Sequence, residues 1–246
     1  MRHGGKVLID QLRIQGVKRV FCIPGESYLA ALDGLLESGI ETIVGRHEGG
    51  VSMMAEAYGK LTGKPGVAFV TRGPGATNAC SGVHVAFQDS TPLILLVGQV
   101  ASDQRDREAF QEIEYRTMFE PLAKWVAEID RADRIPEYIA RAFSVACSGR
   151  PGPVVLALPE DILAADCDVI DAKAVVEVTQ GADVNVVREI VGRIAEAKRP
   201  FCIVGGSKWS KKASFDLEKL SERMSLPIGT SFRCQDFIDN RHPNYM

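Results

Sequence analysis

Residues 93–97 read Leu-Ile-Leu-Leu-Val, an apolar run with no polar residue at alternate positions. A strand of that kind has no face to give to water and must be covered on both sides. Residues 67–70 (Val-Ala-Phe-Val) and 154–158 (Val-Val-Leu-Ala-Leu) have the same character. Segments with helical spacing separate such runs, over residues 48–61, 76–87 and 135–147. Strand, crossover helix and strand in that alternation predict an α/β fold, a parallel sheet flanked by helices on both faces.

The same alternation extends upstream. Residues 6–15 place Val7, Leu8 and Leu12 at helical spacing, and residues 17–22 read as a short strand. Pro24-Gly25 marks a turn, and Ser27 is the expected N-cap of a helix over residues 28–37. Gly39 ends that helix, and residues 40–44 form the second strand. Thr62-Gly63-Lys64-Pro65-Gly66 terminates the helix over residues 48–61. Further along, a helix near residues 115–121 and a strand near 124–126 are expected.

These units make a first domain over residues 1–165. The weakly patterned stretch after it reads as a linker over residues 166–184. A second α/β unit follows over residues 185–246, with a helix at 186–197 (Asn185 as N-cap), a strand at 200–204, a helix at 212–224 and a short strand at 226–228. Its roughly 60 residues are near the minimum for an independent core, so the expectation is a second domain truncated near its start.

Charge and hydropathy narrow the partners. The net charge is −3 and no basic run is longer than Lys211-Lys212, so nucleic acid has no electrostatic footprint to bind. The longest apolar stretch, residues 92–98, is strand-sized, far short of the roughly 18 residues a membrane span needs. The six cysteines stand far apart with no C-x-x-C pair. They read as reduced thiols in a cytoplasmic protein.

Four clusters stand at the carboxyl ends of expected strands, where open α/β sheets hold their ligands. They are Ile23-Pro24-Gly25-Glu26, Gly45-Arg46-His47-Glu48, Thr71-Arg72-Gly73-Pro74-Gly75-Ala76-Thr77-Asn78, and Gly98-Gln99 with its long following loop. His47-Glu48 is no metalloprotease motif, because position 51 is Val where H-E-x-x-H needs His. The glycine turn departs from a dinucleotide fingerprint: Asn78 replaces the third glycine, and the next strand ends in Val97-Gly98-Gln99 with no acid for a ribose. Taken one at a time, a first-turn helix acid and a tight turn explain Glu48 and Gly73-Pro74-Gly75 equally well.

In combination the clusters are more specific. Val20-Phe21-Cys22-Ile23-Pro24-Gly25, Arg46-His47-Glu48, Ala55-Glu56-Ala57-Tyr58-Gly59-Lys60-Leu61-Thr62-Gly63, Gly73-Pro74-Gly75-Ala76-Thr77-Asn78 and Gln88-Asp89-Ser90-Thr91-Pro92 occur in the order found in enzymes dependent on thiamine diphosphate (ThDP). The chain resembles the N-terminal, pyrimidine-binding domain of that family, of the acetolactate synthase type, with residues beyond about 185 resembling the start of its central domain. The resemblance implies a flavodoxin-like, ThDP-binding arrangement of the sheet.

It also implies roles. Glu48 matches the carboxyl that hydrogen-bonds the aminopyrimidine and lets the cofactor act as its own base; buried away from water, it would share a proton with the ring. Pro74 and Asn78 would lie against the pyrimidine, and Ile23 and Gly25 would line the pocket beside it. Phe110-Gln111-Glu112 resembles the acetolactate synthase segment whose glutamine approaches the reaction centre. Where acetolactate synthases carry Pro-Gly-Gly, this chain has Pro24-Gly25-Glu26. Two readings of Glu26 stay open: a proton-handling group over the thiazolium, or a first-turn acid facing solvent. The departure leaves a related 2-oxo acid decarboxylase or carboligase as an equal expectation.

The family's Gly-Asp-Gly motif, which holds Mg²⁺ and the diphosphate on a C-terminal domain, does not occur in this sequence. This chain alone is therefore expected to be inactive, with Mg²⁺ supplied through that other domain. The resemblance further implies a homodimer or homotetramer. The Glu48 helix would sit at the interface, where Ala55, Ala57 and Gly59 permit close approach. It leaves FAD undecided, and the loop charges Arg105 and Arg107 read either as solvated or as a place for an anionic substrate tail. Two rivals remain: a split subunit completed by a partner chain, and a non-catalytic flavodoxin-like module.

Overall fold

The computed structural model describes residues 1–178 and 181–246, which divide into two compact units, Met1–Glu177 and Val178–Met246. In chain order the first unit consists of β1 (Arg2–His3), α1 (Gly4–Ile14), β2 (Arg19–Cys22), α2 (Leu29–Leu36), β3 (Glu41–Val44), α3 (Glu48–Thr62), β4 (Gly66–Val70) and α4 (Pro74–Asp89). It continues with β5 (Leu93–Gln99), α5 (Tyr115–Phe119), β6 (Trp125–Glu128), α6 (Ile135–Cys147), β7 (Pro153–Pro159), α7 (Glu160–Ala164) and β8 (Asp166–Cys167).

Six of these strands form one parallel sheet in the order β3-β2-β4-β5-β7-β6. The apolar strands explain why it sits at the centre. Val67, Phe69, Ile94, Leu96, Val154 and Leu156 point into a core made with α1, α2 and α6. Their neighbours Ala68, Val70, Leu93, Leu95, Val97 and Val155 point into a second core made with α3, α4 and α5. Each residue of β5 and β7 is buried, so both faces of the sheet are closed, as strands without alternation require. A fully buried Val, Leu or Ile contributes roughly 1.5–3 kcal/mol.

The order of connections sets the ligand position. From β2 the chain crosses to the edge strand β3 through α2, on the first face. It then returns past β2 to β4 through α3, on the second face. Strand order reverses between β2 and β4, and the helices that follow them, α2 and α4, pack on opposite faces; open α/β sheets hold their ligands in a crevice at the carboxyl edge beside such a reversal.

Several local details differ from the sequence reading. Ser27 is not a helix cap: it lies in a 3₁₀ turn, Glu26–Tyr28, fully buried, and its hydroxyl is 2.9 Å from Thr71 Oγ1. A hydroxyl with a buried partner has no need of the helix end. Residues 166–175 do not hang free either. β8 pairs antiparallel with β1, Arg2 bonds Asp171 and the Val169 carbonyl, and the Gln11 and Gln15 side chains hold the backbone of Ala172, Lys173 and Val175.

The second unit, taken by itself, contains α8 (Val184–Glu196), β9 (Cys202–Val204), α9 (Lys211–Met224) and β10 (Ile228–Thr230). β9 and β10 pair in parallel. Asp183, not Asn185, caps α8, because its carboxylate accepts the amides of Asn185 and Val186. A small core gathers Val204, Ile228 and Ile238, with the Trp209 and Phe237 rings stacked at 5.1 Å.

Candidate functional site: the crevice at the sheet's carboxyl edge

The loops after β2, β3, β4 and β5 are tied together by side chains. Ser27 bridges to Thr71, joining the first loop to the third. Asn78 Nδ2 donates to Glu48 Oε2 at 3.0 Å, joining the third to the second. Arg72 donates to Glu26 and to the Phe110 carbonyl, bringing in the loop after β5.

Glu48 is the first residue of α3, and the helix start is completed by His47, whose Nδ1 accepts the Gly49 amide at 3.0 Å. A carboxylate there is favoured by the unpaired amides of the first turn. Taken in this single chain, Glu48 is half-buried at the start of α3, with Asn78 and Gly75 of α4 against it. Its Oε1 faces the turn, where a Cβ on Gly75 would stand 3.6 Å from it and 2.9 Å from Thr71 Cγ2.

The glycine turn is shaped by its backbone. Gly73 has φ +56° and ψ −114°, open only to glycine, and its amide donates to the Tyr115 hydroxyl at 3.0 Å. Burial pushes the Tyr115 pKa up to about 12, so that hydroxyl stays neutral and accepts. A Cβ on Gly73 would meet Gln111 Cβ at 2.7 Å. Gln111 is thereby pressed against the turn, itself at φ +65°. Pro74 opens α4, and both Pro74 and Asn78 are exposed on the crevice side. Gly25 approaches Thr71 so closely that a Cβ would sit 2.6 Å from Thr71 Cβ. Ile23 is half-buried behind it, its carbonyl accepting from the Tyr28 hydroxyl.

Glu26 is two-thirds exposed at the start of its 3₁₀ turn, and its carboxylate accepts from Arg72 Nη2 at 2.6 Å. Residues 105–112 are also more ordered than a solvated charge loop. Glu112 accepts the amides of Asp106 and Ala109 and pairs with Arg105, and those contacts, the Asp106 amide foremost, hold its carboxyl below the ordinary range. Arg105 also reaches Glu114 and Glu128. Burial pushes the Glu128 carboxyl up. Ala55 and Gly59 face inward: Ala55 is in the second core, and a Cβ on Gly59 would stand 2.4 Å from the Pro92 carbonyl. Of the three small residues only Ala57 is exposed.

The crevice thus brings together Ile23, Gly25, Glu26, Glu48, Pro74, Asn78 and Gln111. Sequence reasoning passed over Arg72, Tyr115 and Glu160. The signal for Arg72 was present, a lone cation inside an otherwise neutral turn that follows a fully apolar strand. Among the described residues no group of three or more His, Cys, Asp or Glu is placed to hold a metal ion, and no helix is long and apolar enough to cross a membrane. A carboxylate beside a glycine cradle and an amide fits the edge of a nitrogen heterocycle.

Comparison with known proteins identifies the family. Residues 2–118 match the model of the thiamine pyrophosphate enzyme N-terminal TPP binding domain, and residues 187–246 match that of the thiamine pyrophosphate enzyme central domain. The chain is 36% identical over 236 residues to the acetolactate synthase large subunit of Buchnera aphidicola (93% of this chain, 41% of the relative). It is 34% identical over 247 residues to the acetolactate synthase isozyme 2 large subunit of Escherichia coli (99% and 44%). It is 33% identical over 232 residues to the acetolactate synthase of Bacillus subtilis (94% and 41%). The chain spans about two-fifths of the length of these relatives. With the N-terminal and central domain models matched in order, the chain belongs to the thiamine pyrophosphate (ThDP) enzyme family.

Proposed function

We propose that this chain forms the aminopyrimidine half of a ThDP site in an enzyme that decarboxylates or joins 2-oxo acids, as an acetolactate synthase does. The observation that carries the reading is the Glu48 carboxylate, fixed by Asn78 at 3.0 Å with its second oxygen turned to the Gly75 cradle. ThDP bound there would supply the carbon nucleophile for the 2-oxo group and the sink for the electron pair left behind when CO₂ departs. The protein's part is orientation and proton placement.

In this reading Glu48 holds a proton at the edge of the pyrimidine, and Asn78 keeps the carboxylate from rotating away. Pro74, Gly25 and Ile23 form the walls and exclude water from that edge. Gln111 stands against the turn as a polar contact for substrate, and Glu26 is the acid–base candidate on the opposite lip. Mg²⁺ and the diphosphate belong to a further domain, contributed across a dimer or higher oligomer. The proposed location is the cytoplasm. This chain by itself turns nothing over.

The test is Glu48→Gln in the complete protein with ThDP, Mg²⁺ and pyruvate. CO₂ release falls by about 100-fold or more, the scale of a lost acid–base group, and calorimetric ThDP affinity weakens. Unchanged turnover would return the chain to the status of a non-catalytic module.

A further inference from the structure

Arg72 has no role in the preceding account, yet its side chain is only 9% exposed. Burying a guanidinium is costly unless its donors are used. Nη2 donates to Glu26 Oε1 at 2.6 Å and Nε to the Phe110 carbonyl at 3.2 Å. Nη1 lies 3.5 Å from Glu160 Oε2, at the end of β7, and makes no hydrogen bond among the described residues. One cation thus reaches three segments that follow three different strands, β2, β5 and β7.

The turn that carries Arg72 does not need it. Ser27–Thr71 and the Gly73 amide on Tyr115 already hold that turn. Nor does Glu26 need Arg72 for local structure: its 3₁₀ turn is three residues long, too short to develop an appreciable dipole. The pair is instead aimed between the Gly25 turn and the segment carrying Phe110 and Gln111. Two carboxylates, Glu26 and Glu160, face the single guanidinium, a balance that leaves no surplus charge for an anion.

We propose that Arg72 is a positioning residue. It holds the Glu26 carboxylate at the lip of the crevice and, through the Phe110 carbonyl, fixes the register of Gln111 relative to it. The planar fork suits this task, since separate donors on one rigid group serve both partners at once. This inference rests on the functional reading above and assigns the geometry of its two polar candidates.

The test is a double-mutant cycle in the complete holoenzyme acting on pyruvate, paired with amide hydrogen exchange. Glu26→Gln and Arg72→Met each lower kcat by about 10-fold, and together they cost clearly less than the roughly 100-fold product, because part of what Arg72 does runs through Glu26 and only the rest through Gln111. In Arg72→Met, exchange at residues 25–27 and 109–112 rises by roughly 10-fold while β4 and β5 stay protected. Arg72→Lys keeps the charge but not the fork, so it restores residues 25–27 and leaves 109–112 fast. That split holds the test together even if Arg72→Met folds poorly. Multiplicative losses in the double variant, or exchange that does not change locally, would overturn the inference. An enzyme active on pyruvate in which Glu26→Gln has no effect overturns it too, while leaving the functional reading intact. Protein without turnover of pyruvate removes the functional reading and the catalytic half of this one, and local exchange then decides whether Arg72 is a tether.

Discussion

Helices α1 and α8 carry nearly the same message in sequence, an apolar stripe on one face and charge on the other, yet they end in opposite situations. α1 places Val7, Leu8, Ile9 and Leu12 at zero exposure against the six-stranded sheet. α8, two residues longer, has no buried residue, and Val187, Ile190 and Val191 are each more than two-fifths exposed. The difference lies in what stands opposite. The first unit offers α1 a wide, two-sided apolar sheet; the second has a two-stranded pair whose core is Val204, Ile228 and Ile238. An amphipathic stripe states that a helix needs a partner surface; it does not supply one.

The sharpest way to break that comparison is truncation. Leu12→Ala in α1 should cost about 2–5 kcal/mol in denaturant unfolding of this chain, whereas Ile190→Ala in α8 should fall within about 0.5 kcal/mol. Equal costs would mean that the α8 face is covered in solution. A smaller effect is expected at Gly25→Ala, about 1–3 kcal/mol. The added Cβ must displace Thr71 and the Ser27 contact, so the loss should appear in the melting of the first unit alone.

The smallest effect concerns pH. Glu112 is held below the ordinary carboxyl range by the Asp106 amide, the Ala109 amide and Arg105. Its contribution to loop order is therefore complete above the ordinary carboxyl value and disappears as pH falls through the lowered one. Amide exchange at residues 106–111, corrected for intrinsic rates, should stay slow through neutral pH and rise only in acid. Glu112→Gln should remove that pH dependence; a loop that loosens instead on going alkaline would contradict the assignment.

Much of the first unit was legible because its strands are apolar without alternation and its turns carry Gly and Pro at the ends of helices, a signal that depends only on neighbours in sequence. The helix over residues 135–147 and the α3 terminator at Gly63 are of this kind. What was not legible depends on partners distant in sequence. Ser27 looks like a cap until Thr71 is beside it, and residues 166–175 look like a linker until Gln11, Gln15 and Arg2 supply bonding groups. The same holds in the site. Glu48 was named from its motif, but that Asn78 grips it, that Gln111 presses on Gly73 and that Arg72 reaches Glu26 follow from the crossing of α3 and α4 and from the reversal of strand order.

The pairing of β1 with β8 has a topological consequence. Arg2 stands opposite Cys167, so the start of the first unit and its last strand are neighbours across one ladder rung. A unit whose first and last strands meet can be re-spliced: a loop joining residue 177 to residue 1, with new termini cut at the exposed Gly63 turn, keeps each strand of the large sheet, the β1–β8 rung and the bonds that hold residues 169–175. Such a circular permutant would carry the loops that hold Glu48 and the glycine turn on a differently ordered chain.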